Sequence, residues 1–336
     1  MSSARRYLVV GPSWVGDMVM AQSLFISLRQ RYPDAEIDVL APAWSLPVLE
    51  RMPEVRSGIE DRTRHGELGL GKRWRQGVEL REKKYSHAII MPRSWKSALV
   101  PFVAKVPVRT GYKGEQRYGL LNDIRPLDKN RLTKTVQRYV ALGVDASPMP
   151  GIDTPFPSLT VDANNQAYLI KKLGLSKEKA VVCMMPGAEY GPAKQWPIMY
   201  YAELARRLVE SGRQVWVLGS DKDTRAGETI AGDHTGITNL CGQTSLVDVI
   251  DLLACAQQVV TNDSGLMHIA AASGVRVNVV YGSSTPDYTP PLTTEQMQNI
   301  FYLGLECSPC FKRECPLGHT NCLKDITVEK IYAEII

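Results

Sequence analysis

The sequence predicts an α/β protein made of two doubly wound parallel-sheet domains, and three observations carry that expectation. Short β-branched runs alternate with amphipathic helical segments in both halves, the pattern of right-handed strand–helix–strand crossovers. The chain has 336 residues, enough for two domains at about 100–200 residues each. Between the halves lies an aperiodic stretch, 145–160, rich in Pro, Asp and Ser, which reads as a linker. The expected domains are therefore 1–155 and 156–336, with a cleft between them.

In the first half, strands are expected at 6–10, 37–40, 87–91 and 108–111, and helices at 18–31 and 133–142. The first strand runs into Gly11-Pro12-Ser13-Trp14-Val15-Gly16-Asp17, and the helical pattern begins at Met18. Asp17 thus falls in the first turn of a helix, at the carboxyl end of a strand, where open α/β sheets bind ligands. A carboxylate there would repel phosphate and suits proton chemistry. It would equally serve as a dipole-stabilising acid, contributing about 0.3–1 kcal/mol. The turn is not a Walker A loop, because no Lys-Ser/Thr follows the second glycine, and its spacing is not G-x-G-x-x-G. Asp38, at the end of the second expected strand, stands about where dehydrogenases keep a ribose acid. Without the glycines it gives little support for an NAD enzyme. Residues 111–132 have no clean period. A loop of that length is uncommon and usually functional, so a basic flap near the cleft is expected.

In the second half, strands are expected at 180–184, 214–218, 237–240, 257–261 and 277–281, and helices at 197–211 and 264–272. The segment Met185 to Pro197 leaves a strand through a glycine-rich loop and enters a helix at Pro197, a residue suited to the first helical position. Lys194 comes just before it. The segment Thr261-Asn262-Asp263-Ser264-Gly265-Leu266-Met267-His268 leads from a strand into a small-residue helix. Ser264 and Gly265 sit at its N-terminus, where unpaired N–H groups and the positive dipole end bind anions. A plain N-cap would use the same residues. A lone Lys194 would be solvated surface, but beside one helix start and facing the start at Ser264 it would make a diphosphate clamp. Asp221, after the strand 215–218, could hold ribose hydroxyls or cap the next helix.

The composition is globular: 44% hydrophobic and 22% charged. No run of about 18 apolar residues exists, so no membrane span is expected. The N-terminus lacks a signal-peptide pattern, which points to the cytoplasm and reduced cysteines. The net charge of +5 hides an asymmetry. Residues 1–160 carry 25 Lys and Arg against 16 Asp and Glu, a net of +9, whereas residues 161–336 carry 15 against 19, a net of −4. The basic half is expected to meet an anionic partner or to be plain solvated surface. Nucleic acid is not expected, since no zinc-finger, RNA-recognition or helix-turn-helix signature is present. Cys307, Cys310, Cys315 and Cys322 cluster late in the chain with His319 nearby. Their spacing is close to a structural zinc or iron–sulfur knuckle, the alternative being packed or locally bridged thiols. Cys183, Cys241 and Cys255 are expected in the core.

The stretches 11–18, Ala41-Pro42-Ala43-Trp44, Arg117-Tyr118-Gly119-Leu120-Leu121-Asn122-Asp123, 186–196 and 261–268 together resemble the heptosyltransferases of lipopolysaccharide core synthesis, glycosyltransferase family 9. The resemblance covers nearly the whole chain. It implies a GT-B fold, two Rossmann-like domains facing a central cleft, with acceptor bound by the first and ADP-heptose by the second. It implies inverting transfer of heptose from ADP-L-glycero-D-manno-heptose to the first heptose of the inner core, with no metal needed for catalysis. A transferase adding the first heptose, another family 9 sugar transferase, and a nucleotide-sugar-binding protein without activity are the alternatives. Carried over residue by residue, the resemblance makes Asp17 the general base and Lys194 the group on the donor phosphates. Gly187, Ala188, Glu189, Asp221, Asp263, Ser264, Gly265 and His268 would bind the donor. Ser13, Trp14, Arg117 and Tyr118 would bind the acceptor, a heptosylated Kdo2-lipid A at the inner leaflet, making the enzyme a peripheral inner-membrane protein. Any zinc at the four cysteines would be structural.

Overall fold

The computed structural model describes residues 5–64, 66–144 and 153–336. The chain divides into two compact units, Met1–Pro157 and Ser158–Ile336. Half of the expected linker, 145–152, lies outside the described residues.

The first unit is a six-stranded parallel sheet. Its strands are β1 (Arg6–Val10), β2 (Glu36–Ala41), β3 (Ser57–Glu60), β4 (His87–Ile90), β5 (Val108–Tyr112) and β6 (Asp123–Arg125). Their order across the sheet is β3-β2-β1-β4-β5-β6. The helices are α1 (Val15–Arg31), α2 (Leu46–Leu49), α3 (Leu70–Glu79), α4 (Leu99–Val103) and α5 (Thr135–Val140). Central strands β1 and β4 are almost wholly buried, as a parallel sheet covered by helices on both faces requires. This is why their sequences read as continuous apolar runs.

The second unit repeats the design with β7 (Val181–Met185), β8 (Gln214–Val217), β9 (Ile237–Asn239), β10 (Gln258–Asn262), β11 (Arg276–Val280) and β12 (Gln298–Phe301). Their order is β12-β11-β10-β7-β8-β9. Counted within its own unit, this is the same winding as the first sheet. Its helices are α6 (Ala163–Lys172), α7 (Ile198–Glu210), α8 (Thr224–Ala231), α9 (Leu246–Leu253), α10 (Gly265–Ala272), α11 (Asn321–Lys324) and α12 (Val328–Ile335). The core joins Val182, Met184, Val215 and Val260 of the sheet to Trp196, Tyr201 and Leu204, and to Ile331 and Ile335 of the last helix.

Each winding has one point where the strand order reverses, between β1 and β4 and between β7 and β10. The crevice outside the carboxyl ends of strands at such a point is where doubly wound sheets bind ligands. The loop after β1 carries Asp17. The loops after β7 and β10 carry Lys194 and Asp263.

Several expectations are corrected. Helix α1 starts at Val15, three residues before the expected Met18, so Asp17 is its third residue. Pro197 is the N-cap of α7, not its first helical residue. The stretch 111–132 is not one flap, since β5 runs to Tyr112 and β6 pairs with it in parallel from Asp123. Strands β3, β6 and β12 are additional sheet edges. Their short, largely exposed or half-buried sequences lack the apolar run that marks a central strand. Among the described residues no helix is long and apolar enough to cross a membrane.

Candidate active site

In the first unit the turn after β1 is tight. A Cβ on Gly11 would stand 2.6 Å from the Met18 methyl group, so a larger residue there would make the Met18 side chain move aside. Ser13 accepts a hydrogen bond at its carbonyl from Trp44 Nε1, 2.8 Å away, which ties the turn after β1 to the turn after β2. Trp14 occupies the N-cap of α1 and is exposed, as are Trp44 and Tyr118. The carboxyl edge of this sheet thus presents Asp17 with amphipathic aromatic rings on neighbouring loops.

Arg117 stands apart from these groups. It is only 2% exposed, and its guanidinium donates to the carbonyls of Pro92 (2.7 Å) and Tyr112 (2.5 Å). It holds the loop after β5 together from inside. Asp38 is likewise structural: it lies mid-strand in β2 and accepts hydrogen bonds from Arg56 Nε (2.9 Å) and Nη2 (2.6 Å) and from the Tyr85 hydroxyl (2.5 Å). Burial, then the Asp38 carboxylate, push the Tyr85 hydroxyl well above its ordinary range. An acid so occupied has no oxygen to offer a ribose, which removes the dehydrogenase argument.

In the second unit the loops after β7 and β10 meet. Lys194 ends a short 3-10 turn, Pro192–Lys194, and its Nζ lies 2.5 Å from Asp263 Oδ2. Asp263 is 4% exposed and also accepts from the Ser284 hydroxyl. Asn262 locks the two loops: its Oδ1 accepts from the Trp196 amide (2.9 Å) and its Nδ2 donates to the Pro186 carbonyl (2.7 Å). Gly191, at φ +149°, lets the loop pass against the Arg313 carbonyl, which a Cβ would meet at 2.6 Å. Tyr190 carries Lys194 over its ring at 5.1 Å and Arg313 at 5.5 Å.

Ser264 is the N-cap of α10 but makes no side-chain cap bond. Its Oγ is buried without a protein partner, and so is Nδ1 of His268 one turn on. Two unsatisfied buried polar atoms beside a free helix start and a lysine are what an anionic ligand would complete. Burial lowers the His268 pKa to about 4, with Asp263 opposing and Lys194 adding to the shift. The imidazole is therefore neutral near pH 7, and the cation of the site is Lys194.

Gly187 and Ala188 line the same loop. The carboxylate approaching Gly187 is that of Asp223, whose Oδ1 would lie 2.6 Å from a Cβ there. Asp223 also accepts from the Ser220 amide and hydroxyl, each at 2.8 Å. Asp221 is exposed and approaches Gly242. Glu189 is exposed and paired with Lys222 at 2.6 Å. Asn262, Asp223 and Ser284 are site residues that sequence reasoning passed over. The signal for the last was Tyr281-Gly282-Ser283-Ser284-Thr285, a polar run directly after an apolar strand.

Cys307, Cys310, Cys315 and Cys322 line one cavity of about 20 Å³ with Ala193, Ser283 and His319. That is room for about one water-sized atom. All seven cysteines are free thiols. Among the described residues, no three His, Cys, Asp or Glu side chains have the arrangement of a metal centre. The cysteine loop packs on the Lys194 loop: the Ala193 amide donates to Arg313 O (3.0 Å) and the Tyr190 hydroxyl to Phe311 O (2.7 Å). Cys183 and Cys241 are buried and Cys255 is half-buried.

The model of glycosyltransferase family 9 (heptosyltransferase) matches residues 73–321. Lipopolysaccharide heptosyltransferase 2 of Escherichia coli K12 is 44% identical over 98% of this chain and 97% of its own. Lipooligosaccharide heptosyltransferase 2 of Haemophilus influenzae is 47% identical over 96% of each. The solved structure of E. coli ADP-heptose lps heptosyltransferase II superposes with a TM-score of 0.87 at 42% identity, covering 98% of this chain and 97% of that one. Two doubly wound sheets, each with its polar groups at the reversal point, define a GT-B glycosyltransferase. The chain belongs to glycosyltransferase family 9, the heptosyltransferases.

Proposed function

We propose that this enzyme transfers heptose from ADP-L-glycero-D-manno-heptose to the first heptose of a Kdo2-lipid A acceptor, the second heptose addition of the lipopolysaccharide inner core. The observation that carries the donor half is Lys194 held by Asp263 at the start of α10, 2.5 Å away. Asp263 takes one of the three ammonium donors and leaves the others for a diphosphate. As the sugar–oxygen bond breaks, ADP gains charge, and Lys194 with the α10 N-terminus stabilises it electrostatically. Ser264 Oγ and His268 supply neutral hydrogen bonds.

The acceptor hydroxyl attacks the anomeric carbon from the face opposite ADP, through an oxocarbenium-like state. Asp17 takes the hydroxyl proton, and the product has inverted configuration. The exposed Trp14 and Tyr118, with the Ser13 turn, contact the acceptor sugar. A lysine and a helix start do the work that a divalent ion does in other transferases, so turnover is expected to survive EDTA. The acceptor is a lipid, which makes the enzyme a peripheral protein of the inner leaflet.

The test is incubation with ADP-heptose and acceptors carrying no heptose or one heptose, with products read by mass spectrometry. Addition only to the singly heptosylated acceptor supports the reading. Addition to the heptose-free acceptor assigns the first transfer instead, and ADP binding without product assigns a binding protein. A strict divalent-metal requirement would contradict the leaving-group chemistry.

A further inference from the structure

The inner face of α3 is buried through Arg73, Gln76 and Gly77. It packs so closely on α4 that a Cβ on Gly77 would stand 2.6 Å from Val103. The outer face carries Leu70, Trp74 and Val78, spaced i, i+4, i+8 and therefore in one row. All three are exposed, Leu70 by 50% and Trp74 by 58%. Phe102 of α4, 41% exposed, extends the row sideways, and Trp74 and Phe102 border one open groove. Leu68, also exposed, continues it toward the loop after β3. Scattered exposed apolar residues are ordinary, but a continuous row of Leu, Trp, Val and Phe is a contact surface.

The rim is cationic. Arg81, Lys105 and Arg109 line the groove, and Arg75 is exposed on α3 beside Trp74. Arg109 lies over the Phe102 ring at 5.5 Å. Of the nearby acids, Glu79 pairs with Arg62 at 2.9 Å and Glu67 with Lys72 at 2.9 Å, while the exposed Glu82 stands beside Arg81 and Lys83. Aromatic and aliphatic tips ringed by Arg and Lys on a helix lying along the surface are the features of an interfacial, anionic-membrane contact.

We propose that the outer face of α3 with Phe102 of α4 is a docking surface for an anionic lipid bilayer. The Leu68, Leu70, Trp74, Val78 and Phe102 side chains enter the headgroup boundary, and Arg75, Arg81 and Lys105 meet lipid phosphates. The assignment rests on the lipid-anchored acceptor proposed above. Helix α3 starts at the carboxyl edge of the sheet, and the groove bordered by Trp74 and Phe102 lies toward the start of β5, so the row runs along the flank of the sheet.

The experiment is flotation of the full chain with vesicles of phosphatidylcholine alone or mixed with phosphatidylglycerol. The expected result is binding to the anionic vesicles only, weakened by salt. Trp74→Ala/Phe102→Ala should lower partitioning about tenfold or more, given the transfer free energy of two aromatic side chains. Arg75→Gln/Lys105→Gln should lower it about fivefold per charge. Both variants should keep the parent turnover on a delipidated acceptor and show a raised apparent KM on acceptor embedded in vesicles. Equal partitioning of parent and variants would overturn the surface, as would equal binding to neutral vesicles. So would a parent dimer in sedimentation that Trp74→Ala/Phe102→Ala dissolves, since the face would then be a protein interface. The two readings fail separately. Patch-dependent binding without heptose transfer removes the function and leaves the surface. Transfer with unaltered variant binding does the reverse.

Discussion

Asp17 is a carboxylate on the third residue of a helix, a position with a helix-dipole use and a chemical one. The two uses predict different variants. If Asp17 is the base, Asp17→Asn keeps the fold and ADP binding but lowers turnover by about 10²–10⁴. Circular dichroism, ADP titration and initial rates on one preparation separate the cases, and near-normal turnover would leave only the dipole role. His268 makes a second residue-scale prediction. Its pKa falls from an ordinary 6.5 to about 4 on burial, so the unfolded chain binds the extra proton first as pH drops. The associated stability is complete above pH 6.5 and is lost as pH falls toward 4, about 3 kcal/mol in all at about 1.4 kcal/mol per unit. Urea midpoints taken between pH 7 and pH 4.5 should fall less steeply for His268→Gln than for the parent. Parallel slopes would show that His268 is not the group responsible.

Among the elements, the cysteine loop and the Lys194 loop depend on one another. The Arg313 and Phe311 carbonyls accept from the Ala193 amide and the Tyr190 hydroxyl, so a disturbance at the cysteines reaches the donor loop. Within the cluster the thiols are unequal. Backbone N–H groups of Thr320, Leu317, Gly318 and His319 lower the Cys315 pKa, while burial and the other three cysteines raise that of Cys322. A thiolate is the reactive form. Brief treatment with iodoacetamide at pH 7 should therefore label Cys315 before Cys322, and leave the buried Cys183 and Cys241 untouched, as read by peptide mass spectrometry. Full protection of all four together with one equivalent of zinc would mean that they adopt a ligand arrangement instead. Arg117 teaches a related point. In a sequence rich in surface Arg and Lys, nothing marks a guanidinium that is buried and donates to loop carbonyls.

For the whole molecule, the proposed function assigns donor and acceptor to the strand-order reversals of different units. ADP at 100 times its Kd stabilises the state it binds by about 2.7 kcal/mol. Hydrogen exchange should therefore show added protection at 187–196, 262–268 and 283–285 in the second unit. Protection by ADP alone at 11–17, with none in the second unit, would reverse the assignment of donor and acceptor halves.

What could be read from the sequence follows from short-range physics. Central strands are buried on both faces and appear as apolar runs, so β1, β4, β7 and β10 are visible. Turns after strands show their glycines, and a helix start shows its Ser-Gly, so Asp17, Lys194 and Ser264 stand out. Of the four outer strands, β9 was read but β3, β6 and β12 could not be, because an edge strand is half-solvated and needs no apolar run. Only the folded chain decided which polar groups meet. The Lys194–Asp263 pair spans 69 residues, the Asn262 clasp joins two strands adjacent only in the sheet, and Asp38 turned out to be committed to Arg56 and Tyr85. Local sequence sets propensity and burial period over a few residues. Pairing of charges across the sheet depends on strand order, which no local pattern encodes.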